Sequence, residues 1–183
     1  IKAVGFKSFA DKIELDIKDG ITCIVGPNGS GKSNILDAVK WVLGEQSVKS
    51  LRGSGSMSDV IFNGSKSRSP MSRASVALTI DNSNHYLKSE FNEIEVKRVV
   101  YRSGENEYYL NNTKVRLKDI TDLFFDSGAS RDAYNIISQG TVEDIVSSKP
   151  EARRVIIEEA AGVLKYKKHK EESLRKLEKT KDN

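Results

Sequence analysis

Cysteine, histidine and proline are all scarce in this sequence. Cys23 is the single cysteine. No disulfide can form within the chain, which fits a reducing cytoplasm. Cys23 sits in the apolar run "ITCIV" and reads as a small buried hydrophobe. The two histidines, His85 and His169, stand far apart with no ligand spacing around them, and both read as surface residues. No apolar run approaches the roughly 20 residues of a membrane span, and nothing at the start resembles a signal peptide. Ile1 already lies inside the strand-like run "IKAVGF", so the expectation is a start a few residues inside a longer natural sequence.

What is present bounds the rest. The 183 residues suffice for one domain with a core, or for one domain and an appendage. Apolar content is modest at 37% and charged content high at 31%, the mix expected of a domain carrying an exposed helical segment. From Lys165 onward eight basic residues face four acidic ones, so the whole net charge of +4 sits in the tail. Such a tail is a solvated helix face or a nucleic-acid contact.

The first part of the chain reads as strands, "IKAVGF", "KIELDI" and "ITCIVG", with a turn at "KDG". Next comes a helix whose Ile35, Ala38, Val39, Val42 and Leu43 share one face, ending near Gly44. The stretch 45–58 is polar and rich in glycine and serine, a loop. "RASVALTID" alternates, with Ala74, Val76, Leu78 and Ile80 on one face, and "NEIEVKRVVYRSGENEYYLNN" reads as a hairpin turning at "SGEN". "NNTK" is a second turn. Strands so spaced, with no helices between them, predict an antiparallel sheet beside a nucleotide-loop unit. "LKDITDLFF" and "TVEDIVSS" read as helices and "YNIISQG" as a short strand. Pro150 opens a long helix. Its seam runs through Ile156, Ala160, Val163, Lys167, Lys170, Leu174, Leu177 and Lys181. Three lysines in that seam make a poor self-sufficient coiled coil and predict a missing partner helix.

Between the apolar run and the first helix stands "GPNGSGKSN". Gly26, Gly31, Lys32 and Ser33 meet the pattern G-x-x-x-x-G-K-[ST], and the strand before and helix after supply its context. Gly26, Gly29 and Gly31 let the backbone curl so that successive N–H groups face inward, with Pro27, Asn28 and Ser30 between them. The following helix brings its positive end to bound phosphates. Lys32 is expected to reach the β- and γ-phosphates of ATP, and the Ser33 hydroxyl to ligate Mg²⁺. Asn34 begins the helix.

This loop is common to many nucleotide-binding proteins, and its surroundings narrow the choice. "GFKSF" at 5–9, "GPNGSGKSN" at 26–34, "WVLGEQSVKSLRG" at 41–53, "YRSGENEYYLNN" at 101–112, "IISQG" at 136–140 and "EEAAGVLKYK" at 158–167 together resemble the N-terminal half of the head of structural maintenance of chromosomes (SMC) proteins, most nearly the bacterial ones. The resemblance covers essentially the whole chain. It implies an α/β P-loop NTPase of the ABC-ATPase head type: an N-terminal lobe with a mixed, partly antiparallel sheet over residues 1–149, and from 150–183 a neck helix beginning an antiparallel coiled coil. It further implies that Gln139 is the Q-loop glutamine near Mg²⁺ and the attacking water, and that Arg52 is the arginine-loop residue near the phosphates. Lys7 and Ser8 would lie near the base, ribose or phosphates. Arg116 and Lys118 match basic positions on the family's upper head surface and are candidate DNA contacts. The implied partners are a second head in a homodimer, the chain's own C-terminal lobe, a kleisin at the neck, and DNA, in the cytoplasm at the nucleoid.

The sequence also departs from that pattern. "LRGSGSMSD" is one residue longer than the family's usual stretch and has Ser56 where a lysine is expected, which puts a DNA contact there in doubt. There is no "LSGG" signature, no apolar run ending in Asp-Glu, and no switch histidine. In an SMC protein these belong to the C-terminal half, so this chain reads as half an ATPase, without the general base. A RecN- or RecF-like repair ATPase is the alternative within the same group. A small-molecule P-loop kinase or GTPase and a purely structural DNA-binding module fit less well.

Overall fold

In the computed structural model, Lys2–Val4 (β1), Ile13–Glu14 (β2), Arg73–Asp81 (β3), Glu93–Tyr101 (β4), Asn106–Leu110 (β5) and Thr113–Val115 (β6) form one sheet in the order β2-β1-β3-β4-β5-β6. Its ladders are antiparallel throughout. Helices that lie wholly within the described residues are Lys32–Val42 (α1), Leu117–Phe125 (α2) and Val163–Lys181 (α3), with a 3₁₀ turn at Met57–Val60. The structure describes residues 1–51, 55–125, 136, 137, 143, 146, 147, 150, 151, 153, 154, 158 and 163–181.

The alternation of "RASVALTID" becomes β3 over its full length, paired residue for residue with β4 from Arg73↔Tyr101 to Asp81↔Glu93. The β5–β6 connection is the two-residue turn Asn111–Asn112, with φ of 44° and 64°. Asparagine tolerates this left-handed region, and two such residues in a row give the turn whose twist matches the flanking strands.

Period two sends Ala74 and Val76 of β3 and Ile94, Val96 and Val100 of β4 to one face, all of them buried. Helix α1 lies on that face with Ala38, Trp41 and Val42, and Phe6 meets Trp41 at 5.3 Å between ring centroids. Each large side chain so buried contributes about 1.5–3 kcal/mol. The helix ends as its sequence predicts. Gly44 takes a φ of 112°, and the Glu45 N–H reaches back to the Lys40 carbonyl. A Cβ at Gly44 would stand 3.1 Å from Thr121 and 3.2 Å from Leu117, so the missing side chain lets α2 sit against this end of α1.

Four expectations need correction. "ITCIV" is not a strand: residues 21–27 have no regular structure, Ile21 is 95% exposed, and Cys23 is exposed rather than buried. A strand exists only with a hydrogen-bonded neighbour, and none of the described strands pairs with this run. "KIELDI" pairs only at Ile13 and Glu14. The polar stretch 45–58 carries a core residue, since Leu51 is fully buried. Ser56 caps the 3₁₀ turn, accepting from the Ser58 N–H while Asp59 accepts from the Ser56 N–H. The strand expected at "YNIISQG" lies outside the described residues apart from Ile136 and Ile137. Of "TVEDIVSS", Glu143, Val146 and Ser147 are helical, as are residues 150, 151, 153, 154 and 158 ahead of α3.

A candidate phosphate-binding loop

Helix α1 begins at Lys32 with Gly31 as its cap residue, at φ 92°. Among the described residues no side chain caps it, and its first turn carries no acidic residue. The Asn34 N–H turns back to the Gly31 carbonyl at 2.9 Å, and no first-turn carboxylate competes at the positive end of the helix dipole. Gly29 also has a positive φ of 81°. A Cβ on Gly31 would stand 2.8 Å from Ser8 Oγ and 3.0 Å from a Phe9 ring carbon, and one on Gly26 would stand 2.9 Å from Ser30 Oγ. The glycines are thus required by close approach as well as by backbone angle.

The Lys32 ammonium folds back over the loop and donates to the Gly26 and Pro27 carbonyls, each at 2.7 Å. Ser33 is exposed beside it, and the Ser30 N–H closes the turn on the Pro27 carbonyl at 3.3 Å. An ammonium, backbone N–H groups and a hydroxyl at one helix end form a donor set suited to a polyphosphate. Among the described residues no group of three or more His, Cys, Asp or Glu is placed to hold a metal ion. A divalent cation here would rest on Ser33 and on phosphate oxygens.

The turn Phe6–Phe9 lies against the loop. Ser8 Oγ accepts from Asn34 Nδ2 at 2.7 Å, which puts Ser8 beside the start of α1. The Lys7 ammonium donates to the Asp37 carboxylate and the Leu51 carbonyl, and the Lys7 and Asp37 side chains are only 13% and 6% exposed.

Arg116 and Lys118 are exposed at the start of α2. Asp119 accepts from the Arg116 N–H at 2.8 Å and pairs with its guanidinium at 3.1 Å, which lowers the Asp119 carboxyl and raises the Arg116 guanidinium from their ordinary values. Arg52 and Gln139 lie outside the described residues.

Sequence reasoning missed two charged residues that fix α1. Asp37 stands one turn beyond Ser33, and Arg98 reaches the far end of the helix from β4. A signal for Arg98 existed: alternation in "VKRVV" places it inward, between Val96 and Val100. Asp37 lies outside the apolar face, and nothing in the sequence distinguishes it from a solvated helix residue.

The family described as the RecF/RecN/SMC N-terminal domain matches residues 1–141. The chain belongs to this family. It is 58% identical over 183 residues, its whole length, to the chromosome partition protein Smc of Bacillus subtilis. The chain spans about 15% of the length of the curated relatives it matches. The Smc head domain with an extended coiled coil from Pyrococcus furiosus, bound to the C-terminal domain of ScpA, is 37% identical, with a TM-score of 0.83, and covers 100% of this chain and 46% of that one. A structure from work on ATP-driven dimerization and DNA-stimulated activation of SMC ATPases is 36% identical, with a TM-score of 0.79, covering 87% and 96%. The chain therefore has the N-terminal-lobe fold of an SMC head. RecF with ATP shares the fold at a TM-score of 0.53 and 19% identity, covering 88% of this chain and 37% of that one.

Proposed function

We propose that this chain is the ATP-binding half of an SMC head. Gly26–Asn34 wrap the phosphates, Lys32 swings from the Gly26 and Pro27 carbonyls to the β- and γ-phosphates, and Ser33 ligates Mg²⁺. Arg52 and Gln139 take the arginine-loop and Q-loop roles that family membership implies. The observation that carries this reading is the uncapped, acid-free start of α1, with Lys32 Nζ 2.7 Å from two loop carbonyls.

Completed by a C-terminal lobe and a second head, the protein hydrolyses ATP to drive DNA compaction and chromosome segregation. Residues 1–149 form the lobe and 150–183 the neck that starts the coiled coil and takes a kleisin. Arg116 and Lys118 contact DNA, and the protein works in the cytoplasm at the nucleoid. The much higher identity to Smc than to RecF favours this reading over a repair ATPase. No helix among the described residues is long and apolar enough to cross a membrane.

Equilibrium binding of a fluorescent ATP analogue with magnesium tests the reading. The chain binds, and Lys32→Ala abolishes tight binding, because the one ammonium directed at the phosphates is gone. Unchanged affinity in the variant would sink the assignment.

A further inference from the structure

The Phe6–Phe9 turn is held by two backbone bonds, Phe6 N–H to Phe9 O at 3.1 Å and Phe9 N–H to Phe6 O at 2.8 Å. At its tip Lys7 has a φ of 49°, a left-handed conformation that costs a non-glycine residue about 1 kcal/mol. The Lys7 N–H donates to the Val60 carbonyl at 2.7 Å. Its side chain is drawn under the turn to Asp37 of α1 and to the Leu51 carbonyl. Three stretches of chain thus converge on one ammonium: the turn, the helix that carries the phosphate loop, and the end of the segment after α1.

Apolar side chains of similar size are often as stable as a buried ion pair, so burial alone does not explain a charged pair here. A charge-assisted bond is directional, and it fixes one position where apolar packing tolerates several. What this one fixes is visible one residue on. Ser8 bonds Asn34, and Ser8 and Phe9 lie against the missing Cβ of Gly31. The distance from Lys7 to Asp37 therefore sets how the turn meets the start of α1.

We propose that Lys7 is a positioning residue for the phosphate loop rather than a nucleotide ligand: through Asp37 it holds the start of α1 against Ser8 and Phe9. The proposal rests on the nucleotide-binding reading above. It assigns Asp37, which no motif marks, to the same function.

The test is a double-mutant cycle in the binding of a fluorescent ATP analogue with magnesium. It uses Lys7→Met, Asp37→Asn and the double variant, each shown to be folded by the fluorescence of Trp41, the sole tryptophan. Both single variants are expected to weaken binding by roughly tenfold, and the double variant to be no weaker than either, because all three lose the same contact. If Lys7 touches the nucleotide itself, Asp37→Asn leaves affinity unchanged or raises it, and the double variant behaves as Lys7→Met; that result overturns the proposal. Binding at wild-type affinity in all three folded variants overturns it too, leaving the pair a purely structural contact. Failure of the nucleotide reading is recognised separately, by wild-type protein that does not bind or by a Lys32→Ala variant that binds as well as wild type.

Discussion

The Arg98 guanidinium lies 4.6 Å over the Trp41 ring and donates to the Trp41 carbonyl at 2.9 Å, so one residue both stacks on the helix and caps its end. It also donates to the Glu45 carbonyl at 2.8 Å and to Asn106 Oδ1 at 3.2 Å, and the Tyr108 ring covers it at 5.1 Å. Burial pushes the guanidinium down to about 10, partly offset by Tyr108 and Glu45, so it stays charged at neutral pH. Among the described residues its Nε has no hydrogen-bond partner. Helix α1 is thus held near its start by Lys7 and Ser8 and at its end by Arg98.

Arg98→Ala is expected to destabilise the chain by about 3 kcal/mol, since it empties the space between two rings and leaves buried carbonyls unmet. Arg98→Met should cost about 1–2 kcal/mol, because its chain refills that space and only the hydrogen bonds are lost. Urea unfolding followed by Trp41 fluorescence measures both. Equal losses would mean that the hydrogen bonds, not the packing, carry the effect.

The part of the fold that local pattern determines was readable from the sequence. Alternation in 73–81, the turn at "SGEN" and the Asn111–Asn112 turn each act within a few residues, and each appears where the pattern places it. Leu51 was not readable, because a single apolar residue in a glycine- and serine-rich stretch has no period. Trp41 fits a helix-face pattern: Ala38, Trp41 and Val42 follow the i, i+3, i+4 spacing, and all three are buried. In the site, the loop pattern predicts a phosphate cradle. The Lys7–Asp37 contact, 30 residues apart, leaves no trace in spacing. "ITCIV" failed for a different reason. Hydrophobicity reports that a segment wants burial, while strand formation depends on a partner that the run itself does not specify.

A pH effect follows from the outer face of the sheet. Glu107 Oε1 accepts from Lys114 at 2.7 Å, and Oε2 accepts from the Tyr101 and Tyr109 hydroxyls, each at 2.9 Å. These bonds, Lys114 first, bring the carboxyl down from 4.5 to about 2. A carboxyl lowered in the folded state stabilises it above the unfolded value and loses that effect as the proton returns. The stability gap between wild type and Glu107→Gln should therefore be full at pH 7 and close as pH falls from about 4.5 toward 2. A gap of constant size across that range would rule out the carboxylate as its source.

Gly29 and Gly31 separate strain from collision. Both have a positive φ, but among the described residues a Cβ on Gly29 meets nothing within 4 Å, while one on Gly31 meets Ser8 Oγ at 2.8 Å and Phe9 at 3.0 Å. Ser8 is short and held by Asn34, so it cannot swing away. Gly29→Ala should cost about 1 kcal/mol of stability from backbone strain alone. Gly31→Ala adds displacement of the turn and should cost about 2–3 kcal/mol. Thermal unfolding of the two variants side by side distinguishes them, and equal losses would mean that the turn yields freely.

The last prediction concerns the apolar run before the loop. Ile21 is 95% exposed, Val25 88% and Ile24 44%, in a stretch that leads straight into Gly26. Such residues in water favour association, and a single extended run of them suits the addition of a strand from elsewhere. On the proposed reading, that strand belongs to the C-terminal lobe, which also supplies the general base. Two consequences can be measured together. The chain alone should show no ATP turnover above background, and turnover should appear when the C-terminal lobe is added. Ile21→Ser with Val25→Ser should leave the unfolding midpoint of the chain almost unchanged, because so exposed a pair has little packing to lose, yet it should weaken assembly with the added lobe and lower the turnover of the mixture. A large drop in the midpoint would show that the run is already packed within the chain. Steady turnover by the chain alone that disappears with Lys32→Ala would show that the catalytic set is complete without a second lobe, and the half-enzyme reading would have to be abandoned.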